Sequence, residues 1–180
     1  MRISQKSANR YAQALFSFSE DEKKTDIVYH NLQSIRHLIG ESNEFTTFLQ
    51  NPTIPSENRR SILKEIFEKK TDKIVYHFLL FLDEKNRLAF LDYICQAFEH
   101  LYFDAKGMLK VTLTSRWELP AEEIHQISLS LKNKFQKTIL TSSKVDPNIL
   151  GGIKIQMGDL IYDYSLQTQL NKFKQSVLNS

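Results

Sequence analysis

The feature that most constrains this chain is a change of hydrophobic period at Lys106-Gly107. Through residue 103 the apolar residues recur every three or four positions, and only Gly40, Pro52 and Pro55 punctuate the run. Beyond Gly107 they alternate: Leu109, Val111 and Leu113 are separated by Lys110 and Thr112. A period near 3.6 builds amphipathic helices and a period of 2 builds half-buried strands. The chain must therefore build two kinds of architecture, one after the other.

In the first part the spacing predicts helices over 5–19, 22–39, 44–49, 56–67, 73–83 and 87–103. Asp21-Glu22 is expected to open the second, and Gly40 to close it as the left-handed residue after the last turn. Asn51-Pro52 stops the third helix, because proline disfavours helical geometry in the residue before it. Ser56 starts the fourth and Asp72 caps the fifth. Six short helices with tight connections predict an antiparallel bundle. In the second part, Pro120 is expected as the first residue of a helix, with Ile124, Ile127, Leu131 and Phe135 as its apolar stripe. Residues 139–145 read as a second strand, and Ile153, Ile155 and Met157 as a third. Gly158-Asp159 is a two-residue hairpin signal leading into a strand over 160–164. Ser165 caps a last helix striped by Leu166, Leu170, Phe173 and Val177. The expected fold is mixed: a six-helix bundle over residues 1–105, then a small α+β domain over 106–180.

The composition, 180 residues with 41% hydrophobic and 25% charged, belongs to a globular protein and excludes a disordered tail, a collagen-like fibre or a disulfide-stapled miniprotein. The longest apolar run, residues 78–82, is far short of the ~18 residues of a spanning helix, so membrane association is expected only through a partner. The N-terminus has no secretory signal pattern. The single cysteine, Cys95, excludes an internal disulfide and fits a reducing cytoplasm. Residues 1–105 carry 14 basic and 15 acidic side chains, and residues 106–180 carry 10 and 6. A basic C-terminal part suits an acidic protein, nucleic acid or an anionic surface, and equally a mildly basic solvated face.

No catalytic constellation emerges. His30 and His37 lie two helical turns apart with no HExxH and no cysteine pair, whereas zinc needs three or four converging ligands. Cys95 sits between Ile94 and Ala97 without a histidine nearby and reads as a small core residue. Gly151-Gly152-Ile153-Lys154 is not a P-loop, since the pair enters a strand, and a tight bend or close backbone approach is the simpler reason for it. Asp146, Asp159 and Asp163 occupy turn positions, where aspartate is favoured for local hydrogen bonding. Trp117, Phe135, Tyr162, Tyr164 and Phe173 form no RNA-binding motif. No cofactor or metal is expected.

What stands out is surplus apolar surface. On the first helix Ala8, Ala12, Leu15 and Phe16 form one stripe, while Tyr11, Ala14 and Phe18 form a second about 100° away. The fifth helix repeats this, with Val75, Leu79 and Leu82 on one stripe and Ile74, Phe78 and Phe81 on another. The second stripes are satisfied either by a more central position in the bundle or by a groove that accepts a partner's amphipathic helix. The candidate lining is Tyr11, Ala14, Leu15, Phe18, Ile74, Phe78 and Phe81.

Four segments in order resemble one known family. Residues 10–16, RYAQALF, are similar to the RYAxALF opening of ATP synthase delta subunits, the family of the mitochondrial oligomycin-sensitivity-conferring protein. Asn51-Pro52-Thr53-Ile54 with Arg59 or Arg60 resembles its NPxI…R segment. Residues 81–88 resemble LxENxRL, with Lys85 where that pattern has asparagine. Residues 145–170 resemble VDPxLIGGixixxGDxxxDGSxxxqL, carried by Asp146, Pro147, Gly151, Gly152, Asp163 and Ser165 as structural residues. Tyr164 replaces the glycine before the serine, so that turn must avoid positive φ or bear strain, and Gln167 stands where a basic residue is usual. The resemblance implies a noncatalytic stator subunit of an F-type ATP synthase, peripheral on the cytoplasmic face of a bacterial inner membrane. Its helical domain would bind N-terminal helices of alpha subunits on the catalytic head, one of them against the first and fifth helices. Its C-terminal domain would meet the C-termini of the b subunits in the peripheral stalk, with no nucleic-acid partner. Two rivals remain open on residues alone: another helix-binding adaptor, and a nucleic-acid module whose affinity would fall steeply with salt.

Overall fold

A computed structural model describes residues 5–158 and 160–178, and the chain divides into two compact units, residues 1–102 and 103–180. Asp159 of the expected hairpin signal, and the side chain of Val177 in the last helical stripe, lie outside the described residues.

The first unit is built from α1 (Gln5–Asp21), α2 (Thr25–Glu41), α3 (Asn43–Gln50), α4 (Ser56–Phe67), α5 (Lys73–Glu84), a 3₁₀ turn (Leu88–Phe90) and α6 (Leu91–Ala105). One stripe of each helix enters a common core: Ala8 and Ala12, Val28 and Leu32, Phe45 and Leu49, Leu63 and Phe67, Val75 and Leu79, Ile94 and Phe98. Each large aliphatic or aromatic side chain fully buried there stabilises the fold by ~1.5–3 kcal/mol relative to its exposed state. Between α2 and α6, Arg36 bridges Asp92 at 3.3 Å and Glu99 at 3.1 Å, and the rings of Tyr29 and Tyr102 stack at 4.0 Å.

Three helix ends differ from expectation. Asp21 ends α1 instead of opening α2, because Lys23 turns left-handed at φ 54° and the Lys24 N–H reaches back to the Ser19 carbonyl at 2.9 Å. Gly40 lies inside α2, which runs on to Glu41; Ser42 then caps α3, its Oγ accepting the Phe45 N–H at 3.1 Å. The sixth helix starts later than residue 87, since Asn86 at φ 53° closes α5 and the short 3₁₀ turn intervenes.

The second unit is a four-stranded sheet in the order β2-β1-β3-β4, formed by β1 (Met108–Ser115), β2 (Thr138–Val145), β3 (Gly152–Met157) and β4 (Leu160–Ser165). β2 runs parallel to β1 after the crossover helix α7 (Ala121–Phe135), while β1–β3 and β3–β4 are antiparallel. The period of two puts Leu109, Val111 and Leu113 on the face that packs with Ile124, Ile127, Leu131 and Phe135. Pro120 stands one residue before α7, extended at ψ 144°, rather than as its first helical residue. The chain ends in α8 (Leu166–Leu178). Among the described residues no helix is long and apolar enough to cross a membrane.

In the first unit, residues 51–60 and 81–88, far apart in sequence, meet at one buried ion pair. Asp83 is fully buried at the end of α5, with Arg59 Nε 2.7 Å from its Oδ1 and Arg60 Nε 3.8 Å from its Oδ2. Arg59 Nε and Asp83 Oδ1 are close but not aligned as a hydrogen bond, so charge holds them. Ser56 Oγ donates to Asp83 Oδ2 at 3.3 Å, and Arg59 Nη2 donates to Asn86 Oδ1 at 3.2 Å. Removing one member of a buried pair leaves the other charge unpaired, which costs ~3–5 kcal/mol. Asp83→Ala is therefore expected to lower the unfolding free energy of the helical unit by about 3 kcal/mol; urea denaturation followed by far-ultraviolet circular dichroism measures it, and a midpoint unchanged from wild type would contradict the assignment.

Candidate functional site

The stripes of α1 and α5 separate as an amphipathic reading requires. Ala8, Ala12, Leu15, Val75, Leu79 and Leu82 are buried in the core. The second stripes are not interior: Tyr11, Ile74 and Phe78 are half-buried, Ala14 is exposed, and Phe18 and Phe81 are 52% and 43% exposed. Together with Leu15 they line one open groove of about 520 Å³. All seven residues singled out from the sequence are thus brought together. At one end the rings of Tyr11 and Phe81 meet edge to face at 6.1 Å, with Lys85 Nζ 5.6 Å from the Phe81 centroid. Ala14, between Tyr11 and Phe18 along α1, presents only a methyl group to the groove.

The other end has charges that the stripe pattern did not reveal: Glu22, Lys24, Lys73 and His77. The reversal at Lys23 carries Lys24 to Asp72, 2.9 Å away. Asp72 caps α5 by accepting the Ile74 N–H at 2.9 Å, and its own N–H donates to Asn31 Oδ1 at 2.6 Å. The Ile74 N–H first, and the Lys24 ammonium second, hold the Asp72 carboxyl below its usual range. The start of α5 is thereby tied both to the α1–α2 turn and to α2, which fixes the width of the groove at that end.

Cys95 is buried among apolar side chains and its thiol is pushed up to about 12, by burial first and by Asp92 second. A thiol held protonated is no nucleophile.

The C-terminal motif residues build turns and close packing. The Asp146 N–H donates to the Ser115 carbonyl at 2.8 Å, and Asp146 Oδ1 accepts the Asn148 N–H at 3.0 Å, with Pro147 exposed between them. The Gly151 carbonyl accepts the Leu166 N–H at 2.9 Å. Gly152 sits at φ 78° opposite Ser165, and a Cβ there would run into the Tyr164 carbonyl oxygen. Asp163 accepts the Ser165 N–H at 2.8 Å. The Ser165 hydroxyl first, then that N–H, lowers the Asp163 pKa. Ser165 Oγ in turn accepts the Thr168 N–H at 3.4 Å and caps α8. Tyr164 is not among the non-glycine residues with positive φ, so it avoids the strain its substitution for glycine threatened. The positive φ is taken by Gly152 across the ladder.

The fold and the groove define a two-unit protein, helical and then α+β, with an open apolar trough between two helices of the first unit. The family described as ATP synthase delta (OSCP) subunit matches residues 8–177. The chain is 30% identical over 169 residues to ATP synthase subunit delta of Clostridium botulinum type F, covering 94% of each chain. It is 32% identical over 170 residues to the Acetivibrio thermocellus protein of the same name, covering 94% of this chain and 96% of the other. A chain of the Toxoplasma gondii mitochondrial ATP synthase hexamer shares the fold, with TM-score 0.80 at 20% identity over 95% of this chain and 97% of that one. This chain belongs to the ATP synthase delta (OSCP) subunit family, and is a noncatalytic subunit of that complex.

Two outcomes follow from this geometry. Gly152→Ala is expected to destabilise the second unit by ~1–3 kcal/mol through forced strain, and Gly151→Ala by less, because its Cβ would meet the movable Leu166 side chain, Cδ1 at 2.8 Å and Cγ at 3.4 Å, rather than backbone. Denaturation followed by fluorescence of Trp117, the single tryptophan, measures both. Asp72→Asn is expected to cost ~1 kcal/mol or less at neutral pH, because asparagine still caps α5 but the ion pair with Lys24 is lost. The depressed Asp72 pKa stabilises the fold fully above the ordinary carboxyl value of 3.8, and that contribution is lost as pH falls from there through the folded pKa. The acid limb of stability against pH should therefore be shallower in Asp72→Asn than in the wild type.

Proposed function

We propose that this chain is the stator subunit that joins the catalytic head of an F-type ATP synthase to its peripheral stalk. In this reading the helices of residues 1–105 work as a six-helix bundle seated on the head, and the groove between α1 and α5 receives the N-terminal helix of an alpha subunit. Residues 106–180 meet the C-termini of the b subunits. The subunit sits on the cytoplasmic face of a bacterial inner membrane, held there by its partners.

The observation that carries this reading is the groove. An amphipathic helix buries a stripe of side chains along i, i+3, i+4 and i+7, and a trough with an apolar floor and charged ends accepts such a stripe. Two of the charges at its ends are paired before binding, Lys24 with Asp72 and Lys85 with Glu84 at 3.3 Å, and the middle of the trough is apolar. An apolar ligand therefore desolvates few unpaired charges at the centre.

The mechanical task follows from the joint. A rotor turning inside the head drags the head with it, and rotation drives ATP formation only if the head is held still. The joint must dissociate slowly relative to turnover. Since association rates vary little within one interface, a long residence time means high affinity. Nanomolar binding corresponds to ~−12 kcal/mol, which a few well-packed aromatic anchors can supply. Phe81 and Phe18 have the exposure and position of such anchors.

Titration calorimetry of the full chain with a synthetic peptide of the same organism's alpha-subunit N-terminus tests the reading. One-to-one binding is expected, and Phe81→Ala should cost ~2 kcal/mol, or ~30-fold in affinity. Phe81 is partly exposed, so its truncation should leave the circular dichroism spectrum intact. Equal affinity for a folded Phe81→Ala protein would remove the anchor role; no binding to the wild type would remove the groove's assignment.

A further inference from the structure

The charges at the α1–α2 end of the groove are not equivalent. Lys24 is taken by Asp72 at 2.9 Å. Glu22 and Lys73 are exposed, line the same groove, and form no ion pair among the described residues. Each belongs to the row of side chains that makes its wall. Tyr11, Leu15, Phe18 and Glu22 are spaced four, three and four residues apart. The Glu22 N–H still donates to the Phe18 carbonyl at 3.2 Å, so the helical turn that carries this row runs one residue beyond α1. On α5, Lys73, His77 and Phe81 recur every fourth residue. Side chains three or four apart stack on one helix face. The α1 wall therefore ends in a carboxylate and the α5 wall in an ammonium. Both lie at the same end, because the two helices run in opposite directions: Tyr11 meets Phe81 at one end of the groove and Lys24 meets Asp72 at the other. The far end has no such pair, since Lys85 there is taken by Glu84.

The groove is thus asymmetric both along its length and across its width. A helix with its apolar stripe on the floor presents the residues beside that stripe to the two walls. Turning such a helix end for end carries those flanks to the opposite end and the opposite wall. An apolar floor is indifferent to that reversal, whereas charges beside an apolar seam set the orientation of paired helices. We propose that Glu22 and Lys73 form a charge clamp that fixes the direction of the bound helix. That helix carries a lysine or arginine on the flank facing α1 and an aspartate or glutamate on the flank facing α5, both at its end beside the α1–α2 turn. The inference rests on the reading that the groove receives an amphipathic helix, and adds the charge pattern and the direction of that helix. Exposed rim pairs contribute little affinity, so the anchoring stays with Phe18 and Phe81. The clamp acts by rejection: exchanged flanks set like charge against like, and a reversed helix leaves Glu22 and Lys73 without partners.

The test uses the full chain and two synthetic amphipathic helices with one shared leucine stripe. In the last turn of the first, glutamate and lysine flank the stripe; in the second these two are exchanged. By titration calorimetry the wild type should bind one of them ~5-fold more tightly. The doubly reversed chain, Glu22→Lys with Lys73→Glu, should prefer the other by a similar factor. Both preferences should fade in 1 M salt, where charges are screened within ~3 Å. A nitroxide on the last turn of the preferred helix should broaden the amide resonances of Glu22 and Lys73 and spare those of Tyr11 and Phe81. Both substituted residues are exposed, so circular dichroism should report an intact fold. Equal binding of the two helices to the wild type, a preference that survives the double reversal, or broadening at the Phe81 end would each overturn the clamp while leaving the groove its helix. If neither these helices nor the alpha-subunit peptide binds the wild type, the groove reading fails and the clamp with it.

Discussion

Each helix of the first unit has to bury an apolar stripe, and a single core accommodates one stripe per helix. α1 and α5 carry two. Their first stripes, Ala8 to Leu15 and Val75 to Leu82, are consumed by the core, so the second ones remain outward and side by side. The groove is the residue of that mismatch between the apolar surface the helices carry and what their own core can cover. Its two ends are held by different chemistry. Tyr11 and Phe81 close one end through an aromatic contact, and Lys24 with Asp72 closes the other through charge. The Asp83–Arg59 pair beneath the end of α5 keeps that helix against α4, so Phe78 and Phe81 are displayed from an element anchored at both termini.

The second unit solves a different problem, the close approach of β3 to β4 and the start of α8. Gly152 takes the left-handed conformation and leaves space for the Tyr164 carbonyl. Asp163 then accepts the Ser165 N–H, and Ser165 Oγ accepts the Thr168 N–H, which ends the strand and begins the helix. This arrangement explains why tyrosine is tolerated at 164: the backbone there is extended, and the need for glycine lies on the facing strand. The same turn launches α8.

Much of this was legible from local pattern. The switch of period at Gly107 marks where helices give way to strands, and the two stripes on α1 and α5 pick out the groove because both depend only on residues a turn or two apart. The helix ends were less legible for a physical reason. Lys23, Asn86 and Gln136 adopt left-handed conformations that sequence rules reserve mainly for glycine, and Lys23 does so where Lys24 is drawn to Asp72, 48 positions away. Gly40 has the residue type of a helix end but none of the tertiary reasons for one. The rim charge Lys24 reaches the groove only through that chain reversal. Likewise the meeting of residues 51–60 with 81–88, and the parallel pairing of β1 with β2, are tertiary facts invisible to any local window.

The central claim is that the α1–α5 groove is occupied by a helix from the catalytic head. Cys95 is buried with a thiol held protonated, so a cysteine placed at exposed Ala14 can be labelled alone. An Ala14→Cys protein carrying a photoreactive benzophenone, reassembled with the ATP synthase head and irradiated, measures the occupant directly by mass spectrometry of the adduct. The account predicts cross-links to the N-terminal residues of an alpha subunit. Adducts confined to any other chain, or none from a fully assembled complex, would contradict it.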